Sequence, residues 1–213
     1  MNAPLSNRRE MIVGRPALLV IDIQQGSFMP RRAGFSLPLM PDFLDRLRRA
    51  RLVIDAARRN GVPVIFFQEA HRPDLIDFGR ELDGSEGVHC LEDNPGTAIA
   101  AEVVGLLPGD YVIRKRRYSC FFGTDLEILL KGLKADTLIL TGGFTDVCVH
   151  YTFVDAHQHD YFCRVAEDCV AGSSPEAHEA ALRAMEYLQA GALRSGAELA
   201  AGLDALSATR ECR

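Results

Sequence analysis

Short, mostly apolar runs alternate along this chain with segments of helical spacing, and this alternation restricts its fold more than any other feature. The runs lie at 17–23 (ALLVIDI), 62–67 (VPVIFF), 110–114 (DYVIR), 137–140 (TLIL) and 162–166 (FCRVA). Continuous apolar character over so few residues is typical of strands buried on both faces of a parallel sheet. We therefore predict a strand at each run.

Segments with helical spacing separate these runs. Apolar residues recur at intervals of three and four over 41–60, and similar segments follow at 124–132, 145–159 and 175–189 before a weak final strand–helix unit. Helical crossovers between parallel strands cover both faces of the sheet. The sequence therefore predicts one domain over residues 1–213, a three-layer α/β/α fold of Rossmann-like type with a central parallel sheet of about six strands.

Charge and cysteine usage restrict the partners. The net charge is -5 and the arginine clusters lie inside patterned segments, so we expect no nucleic-acid partner. No apolar run is long enough to cross a bilayer, and residues 1–15 lack the apolar core of a signal peptide. The 6 cysteines form no CxxC pair, which suits free thiols in a reducing compartment. We expect a cytoplasmic protein without membrane contact.

Chemically reactive residues follow several of the predicted strands. Asp22 closes the first strand, Lys115 follows the third, and Cys148 lies in the first turn of the helix after the fourth. Ligands of parallel α/β sheets bind at the carboxyl ends of the strands. The long irregular segment 68–96 follows the second strand, and long loops in compact domains are usually functional. We expect these features to meet at one site.

Asp22, Lys115 and Cys148 together favour nucleophilic catalysis. A thiol near a helix N-terminus and beside an ammonium is biased toward the thiolate. A carboxylate can take the thiol proton and return it to a leaving nitrogen. Each residue alone has a structural explanation, as a cap, a surface charge or a buried cysteine, but together they favour a catalytic centre.

Three segments resemble the isochorismatase-like cysteine hydrolase family: LLVIDIQ, KRRYSCFFGT with Lys115, Ser119, Phe121 and Thr124, and GGFTDVCV. The resemblance extends in order to Asp155-Ala156 and Asp168. It implies that Asp22, Lys115 and Cys148 are the catalytic triad. It also implies a cis peptide between Gly143 and Phe144, an oxyanion hole formed by the amides of Phe144 and Cys148, and a homodimer or homotetramer.

The same resemblance implies cleavage of a carbon–nitrogen bond in a small linear amide or ureide, of the biuret, triuret or carbamoyl type. A covalent acyl- or carbamoyl-enzyme on Cys148 would release ammonia or an amine. The segment EAHRPDL resembles ureide-cleaving members and suggests Glu69, His71 and Arg72 as substrate contacts, together with Gln24. A surface ion pair between Arg72 and Asp74 is the alternative for Arg72.

Other interpretations stay open. Glu69, His71 and His89 stand where the nicotinamidase branch binds a divalent metal, which would give a metal-assisted nicotinamidase- or maleamate-type amidase. The longer Glu69 side chain disfavours that metal, and we expect no cofactor. A catalytically silent binding module is a further alternative. A dinucleotide-binding protein is disfavoured because no G-x-G-x-x-G follows the first strand. Cys120, the rival thiol, is expected to pack near the site.

Overall fold

The computed structural model describes residues 10–30, 39–84 and 86–211. The strands are β1 Pro16–Ile21, β2 Val64–Glu69, β3 Tyr111–Lys115, β4 Thr137–Gly143, β5 Phe162–Ala171 and β6 Leu193–Arg194. The helices are α1 Phe43–Arg59, α2 Ala101–Val104, α3 Leu126–Leu133, α4 His150–Gln158, α5 Pro175–Leu188 and α6 Gly196–Glu211. A π-helical turn, Thr145–Val149, leads directly into α4. In the described part of the chain, no helix has both the length and the apolar character that crossing a membrane requires.

The sheet has six strands in the order β3-β2-β1-β4-β5-β6, and every neighbouring pair is parallel. Alternate residues of each strand face opposite layers. Leu18 and Val20 of β1 pack in a core with α1 and α6, whereas Leu19 and Ile21 pack in a second core with α3, α4 and α5. The predicted three-layer α/β/α fold with a parallel sheet is confirmed.

The strand order reverses between β1 and β4, because the chain builds outward to β3 on one side and to β6 on the other. Such a reversal leaves a crevice beyond the carboxyl ends of the two central strands, where α/β proteins bind their ligands. Asp22 follows β1 and Cys148 lies just beyond β4. Both residues therefore border the crevice.

Two strands are longer than the sequence predicts. β4 continues to Gly143 and β5 to Ala171, because Gly142 and Gly143 pair with Val170 and Ala171 after a register shift. Asp168 therefore lies inside β5 and does not follow its end. Its carboxylate accepts a hydrogen bond of 2.6 Å from the amide of Gly196, the first residue of α6. A strand ending at residue 166, as the sequence predicts, would place Asp168 just beyond it at the functional edge; the longer β5 shows that this is wrong, and the carboxylate tethers α6.

Candidate active site

The three predicted catalytic side chains converge in the structure. Lys115 Nζ lies 2.8 Å from Asp22 Oδ2 and 3.4 Å from Cys148 Sγ. The Lys115 side chain is fully buried and Cys148 is nearly so. An ammonium therefore lies between the thiol and a carboxylate, shielded from water.

The local backbone explains this convergence. Asp22 leaves β1 with a φ of 52°, a left-handed conformation that turns the chain sharply at the strand end. On the neighbouring strand, Gly142 has a φ of 113°, and a Cβ there would lie 1.9 Å from the carbonyl oxygen of Ile21. Glycine is thus required for β4 to pass β1 closely. The peptide between Gly143 and Phe144 is cis, as the family resemblance implies.

Glu69, the last residue of β2, joins the same group. Its Oε2 lies 2.6 Å from Lys115 Nζ and 3.6 Å from Cys148 Sγ. Gln24 fixes this residue, because its side-chain amide accepts from the Glu69 amide at 3.1 Å and donates to the Glu69 carbonyl at 3.0 Å. A further 2.6 Å bond joins Gln24 to the carbonyl of Thr97. Gln24 lines the cavity, and these bonds make it a support for Glu69.

The pKa values in this group distinguish a proton donor, the Cys148 thiol, from a proton acceptor, the Asp22 carboxylate. Burial raises the pKa of the Cys148 thiol well above its usual range, although Lys115 opposes the shift. Burial also raises the pKa of Asp22, to about 6, against the opposing effect of Lys115. Burial disfavours the Lys115 ammonium, but Asp22, Cys148 and Glu69 outweigh it and raise the Lys115 pKa. At neutral pH the resting site therefore contains a thiol, an ammonium and an ionised Asp22, so the thiol needs a base.

A second cluster adjoins the first through Glu69. His89 Nε2 lies 2.8 Å from Glu69 Oε1, and His71 Nε2 lies 3.6 Å from both Glu69 Oε1 and Glu81 Oε2. His71 stacks on Phe78 with ring centroids 3.9 Å apart. Ligand atoms of Glu69, His71, Glu81 and His89 lie within 4.8 Å of one another. The structure thus brings together the three metal candidates of the sequence and adds Glu81.

The donor set fits a divalent cation. Two imidazoles and two carboxylates are ligands that Zn²⁺ accepts. Within the described residues, neither carboxylate oxygen of Glu81 and neither ring nitrogen of His71 has a hydrogen-bond partner, although all four atoms are buried. Burial and the nearby Glu69 raise the pKa of Glu81 to about 7. For His89, burial favours the neutral ring, but the bond to Glu69 prevails and raises the pKa to about 9.

A cavity of about 120 Å³ opens onto both clusters. This volume is well below the roughly 300 Å³ at which drug-sized ligand pockets begin, so the cavity suits a compound of few heavy atoms. Its large apolar lining residues are Leu39, Phe43, Phe144 and Val147. The polar residues around it are Asp22, Gln24, Ser27, Glu69, Glu81, Glu86, His89, Tyr118 and Cys148.

Several predicted residues lie away from this cavity. Arg72 is exposed and forms an ion pair of 2.8 Å with Asp74, the alternative that the sequence left open. His71 is fully buried behind Glu69 and Glu81 and is not part of the described lining. Cys120 is buried in the core that contains α3 and α4, and burial raises the pKa of its thiol.

Two further residues of the family motifs, Ser119 and Thr124, are outside the described cavity lining and form hydrogen bonds next to the site. Ser119 Oγ lies 2.5 Å from Asp155 Oδ2 of α4, and Thr124 Oγ1 donates to the carbonyl of Cys120 at 2.5 Å. The first bond fixes the segment after Lys115 against the helix after Cys148, and the second closes a turn within that segment. No local pattern indicated Glu81, Glu86 or Tyr118 as site residues, because they come from irregular segments without periodicity.

The fold and the site together define a class: a parallel α/β protein in which a cysteine, an ammonium and a carboxylate meet at the carboxyl edge of the sheet. Residues 16–198 match the Isochorismatase domain family. The chain therefore belongs to the isochorismatase family, which confirms the resemblance found in its motifs.

Several similar proteins are named as amidohydrolases or amidases. The chain is 33% identical over 205 residues to the ureidoacrylate amidohydrolase RutB of Methylobacterium radiotolerans, an alignment covering 85% of this chain and 78% of that protein. It is 30% identical to the N-carbamoylsarcosine amidase of Thermoplasma acidophilum, with a TM-score of 0.69 over 86% of this chain and 97% of that one. The pyrazinamidase of Pyrococcus horikoshii, solved with zinc, is 28% identical, with a TM-score of 0.71 over 85% and 98%.

Proposed function

We propose that this protein is a cysteine amidohydrolase that cleaves a carbon–nitrogen bond of a small linear amide or ureide through a covalent Cys148 intermediate. One observation supports this most: Lys115 Nζ contacts both Cys148 Sγ, at 3.4 Å, and Asp22 Oδ2, at 2.8 Å, beside a small cavity. The ureidoacrylate amidohydrolase and N-carbamoylsarcosine amidase names of two relatives agree with this bond type.

The first half-reaction uses Asp22 as the base. Its carboxylate takes the proton of the Cys148 thiol, and the sulfur then attacks the substrate carbonyl carbon. Lys115 stabilises the developing thiolate. The backbone amides of Phe144 and Cys148 donate to the oxyanion, and each such donor is worth about 3 kcal/mol in acyl transfer. Both residues line the cavity, at the N-terminal end of the helical segment that starts at Thr145.

The second half of the reaction restores the enzyme. Asp22 returns its proton to the leaving nitrogen, the carbon–nitrogen bond breaks, and ammonia or an amine departs. Cys148 then holds an acyl group or, from a ureide, a carbamoyl group. Water loses a proton to Asp22, attacks the thioester carbon and expels the thiolate, which takes that proton back.

Glu69 and Gln24 complete the proposed substrate site. The Glu69 carboxylate can accept hydrogen bonds from the NH groups of a ureide, as it does from Lys115 and His89 at 2.6 and 2.8 Å. Gln24 holds Glu69 in place through two bonds to its backbone. The small cavity volume of about 120 Å³ favours compact, planar substrates.

Ammonia release from a panel of small amides and ureides tests this function. The panel includes biuret, triuret, ureidoacrylate, maleamate and nicotinamide. We expect release with the wild type and none with Cys148→Ala. Cys120→Ala is the matched control, since this second buried thiol lies outside the described cavity lining and its loss should leave most of the activity. Equal release by wild type and Cys148→Ala would refute the mechanism, and mass spectrometry of the Cys148 peptide would show whether an acyl or carbamoyl adduct forms.

A metal-assisted amidase of the nicotinamidase or maleamate type is the second candidate. The convergence of Glu69, His71, Glu81 and His89 favours it, as does the zinc in the related pyrazinamidase structure. A divalent cation held there would supply Lewis-acid polarisation of a ligand. Asp22, Lys115 and Cys148 would keep their roles. Titration with Zn²⁺ followed by calorimetry separates this candidate from the metal-free enzyme.

A further inference from the structure

The π-helical turn Thr145–Val149 carries the nucleophile and one of the two amides of the proposed oxyanion hole. Phe144, which carries the other amide, precedes the turn, and its side chain forms no capping hydrogen bond. The amide of Val149 donates to the carbonyl of Phe144 at 3.0 Å. Bonds of this kind fix the shape of a turn but not its placement beside the cavity. The positions of the two amides therefore depend on contacts with other elements.

Helix α5 supplies one such contact. His178 Nδ1 lies 2.8 Å from Thr145 Oγ1, and both side chains are buried. Burial and the nearby Arg46 lower the pKa of His178, so the ring is neutral at neutral pH and the bond joins two neutral groups. His178 is itself well fixed in the first turn of α5, because its amide donates to the carbonyl of Ser174, the N-cap residue, at 3.0 Å.

The loop between β5 and α5 supplies a second contact. The Asp146 carboxylate accepts hydrogen bonds from the amide and the hydroxyl of Ser173, at 2.9 and 2.5 Å. Gly172 allows the close approach, since a Cβ there would lie 2.6 Å from Asp146 Oδ1 and 3.0 Å from His178 Cβ. Two adjacent residues of the turn, Thr145 and Asp146, are thus bonded to the short segment 172–178.

These anchoring side chains do not line the cavity. Neither His178 nor Thr145 belongs to the lining that the structure describes, whereas Phe144 and Cys148 do. We infer that His178 is a positioning residue, which acts through Thr145 to hold the amides of Phe144 and Cys148 where the oxyanion develops. The inference rests on the proposed function and adds a residue on which its oxyanion step depends. Donors of this kind are effective only when they are fixed before the charge develops, so loss of the bond should slow turnover without weakening substrate binding.

Two substitutions of nearly equal shape isolate the bond. His178→Asn can keep a polar atom near the place of Nδ1, whereas His178→Leu cannot. We expect His178→Leu to lower kcat for ammonia release about tenfold or more with KM within about twofold, and His178→Asn to keep kcat within about threefold of the wild type. Thr145→Val should reproduce the effect of His178→Leu, and the double variant should be no slower than either alone, because both residues act through one bond.

The opposite end of α5 offers the matched control. Gln189 is buried there and forms two bonds of 3.1 Å with the amide and the carbonyl of Cys163. Gln189→Leu should lower the melting temperature but leave kcat within about twofold, because its bonds do not reach the turn. This variant separates a loss of stability in α5 from a loss of placement of the turn.

Amide hydrogen exchange of the segment 144–149 tests the placement without turnover. We expect exchange about fivefold faster in His178→Leu than in the wild type, and unchanged exchange in His178→Asn and Gln189→Leu. Unchanged exchange in His178→Leu, faster exchange with an unchanged kcat, equal kcat losses in the Asn and Leu variants, or a change confined to KM would overturn the inference. A wild type that releases no ammonia would refute the proposed function instead, and the exchange rates would still decide whether His178 holds the turn.

Discussion

Replacing Lys115 by Met removes the charge that balances two buried carboxylates. Lys115 Nζ lies 2.8 Å from Asp22 and 2.6 Å from Glu69, and the side-chain exposures are 0%, 11% and 8%. Methionine retains most of the apolar stem, so the substitution changes charge more than packing. It leaves both carboxylates in a poorly solvated site without their common counter-ion.

Breaking a buried ion pair in this way costs about 3–5 kcal/mol. A loss of 1 kcal/mol lowers the melting temperature of a protein of this size by about 2–4 °C, so the expected drop at pH 8 is about 10 °C. Lys131→Met is the matched control, since Lys131 pairs with Glu127 at 2.5 Å on the exposed face of α3. Its loss should cost no more than about 0.5 kcal/mol.

The pH dependence of this stability loss shows whether the two carboxylates cause it. In the wild type, Lys115 helps hold the pKa of Glu69 well below its usual range, although burial alone would raise it. Without Lys115, burial raises the pKa of Glu69 and of Asp22 above their unfolded values, so ionising them costs stability as pH rises. The stability difference between wild type and variant should therefore be smaller at pH 5 than at pH 8. Thermal unfolding at both values measures it; a difference below about 1 kcal/mol at pH 8, or equal differences at both pH values, would refute this reasoning.

Three further predictions concern the pH dependence of catalysis, the effect of metal removal and the stabilising bond between Ser119 and Asp155. Because Asp22 must be ionised to take the thiol proton and its pKa is about 6, kcat/KM should fall about tenfold per pH unit below pH 6, and a flat profile down to pH 5 would exclude Asp22 as the base. Dialysis against a chelator should leave ammonia release within about twofold, while a loss restored by Zn²⁺ would favour the metal-assisted candidate. Ser119→Ala breaks the 2.5 Å bond to Asp155 and should cost about 1.5–3 kcal/mol in chemical unfolding, whereas an unchanged midpoint would show that the bond is unimportant.

The sequence predicted the sheet because its buried strands differ so clearly from their surroundings. All six residues of β1 are buried, and the strand coincides with an apolar run that begins at Ala17. Reactive residues at the ends of such strands are predicted to lie at one edge of the sheet, and Asp22, Lys115 and Cys148 do meet there. Strand order is not needed for this prediction, since all parallel strands end at the same edge.

Other features of the fold and the site depend on tertiary contacts, which no local sequence pattern indicates. The extension of β4 through Gly143 depends on pairing with β5 beyond a register shift. Glu81 lies in a short 3₁₀ turn of an irregular acidic segment, where a solvated surface is the ordinary expectation. Glu81 is instead buried beside His71 and Glu69, which precede it within the same irregular stretch of the chain.

Two carboxylates beside one ammonium need not share one role, and their environments separate them. Glu69 is bonded to His89 as well as to Lys115, and these cations together outweigh burial and lower its pKa. Asp22 has Lys115 alone as its cationic partner among the described residues, and burial prevails and raises its pKa to about 6. A carboxylate with a low pKa is a weak base, whereas one poised near neutrality can both take and return a proton. These environments favour Asp22 as the base of the proposed mechanism, with Glu69 as the fixed negative charge that keeps Lys115 an ammonium beside the sulfur.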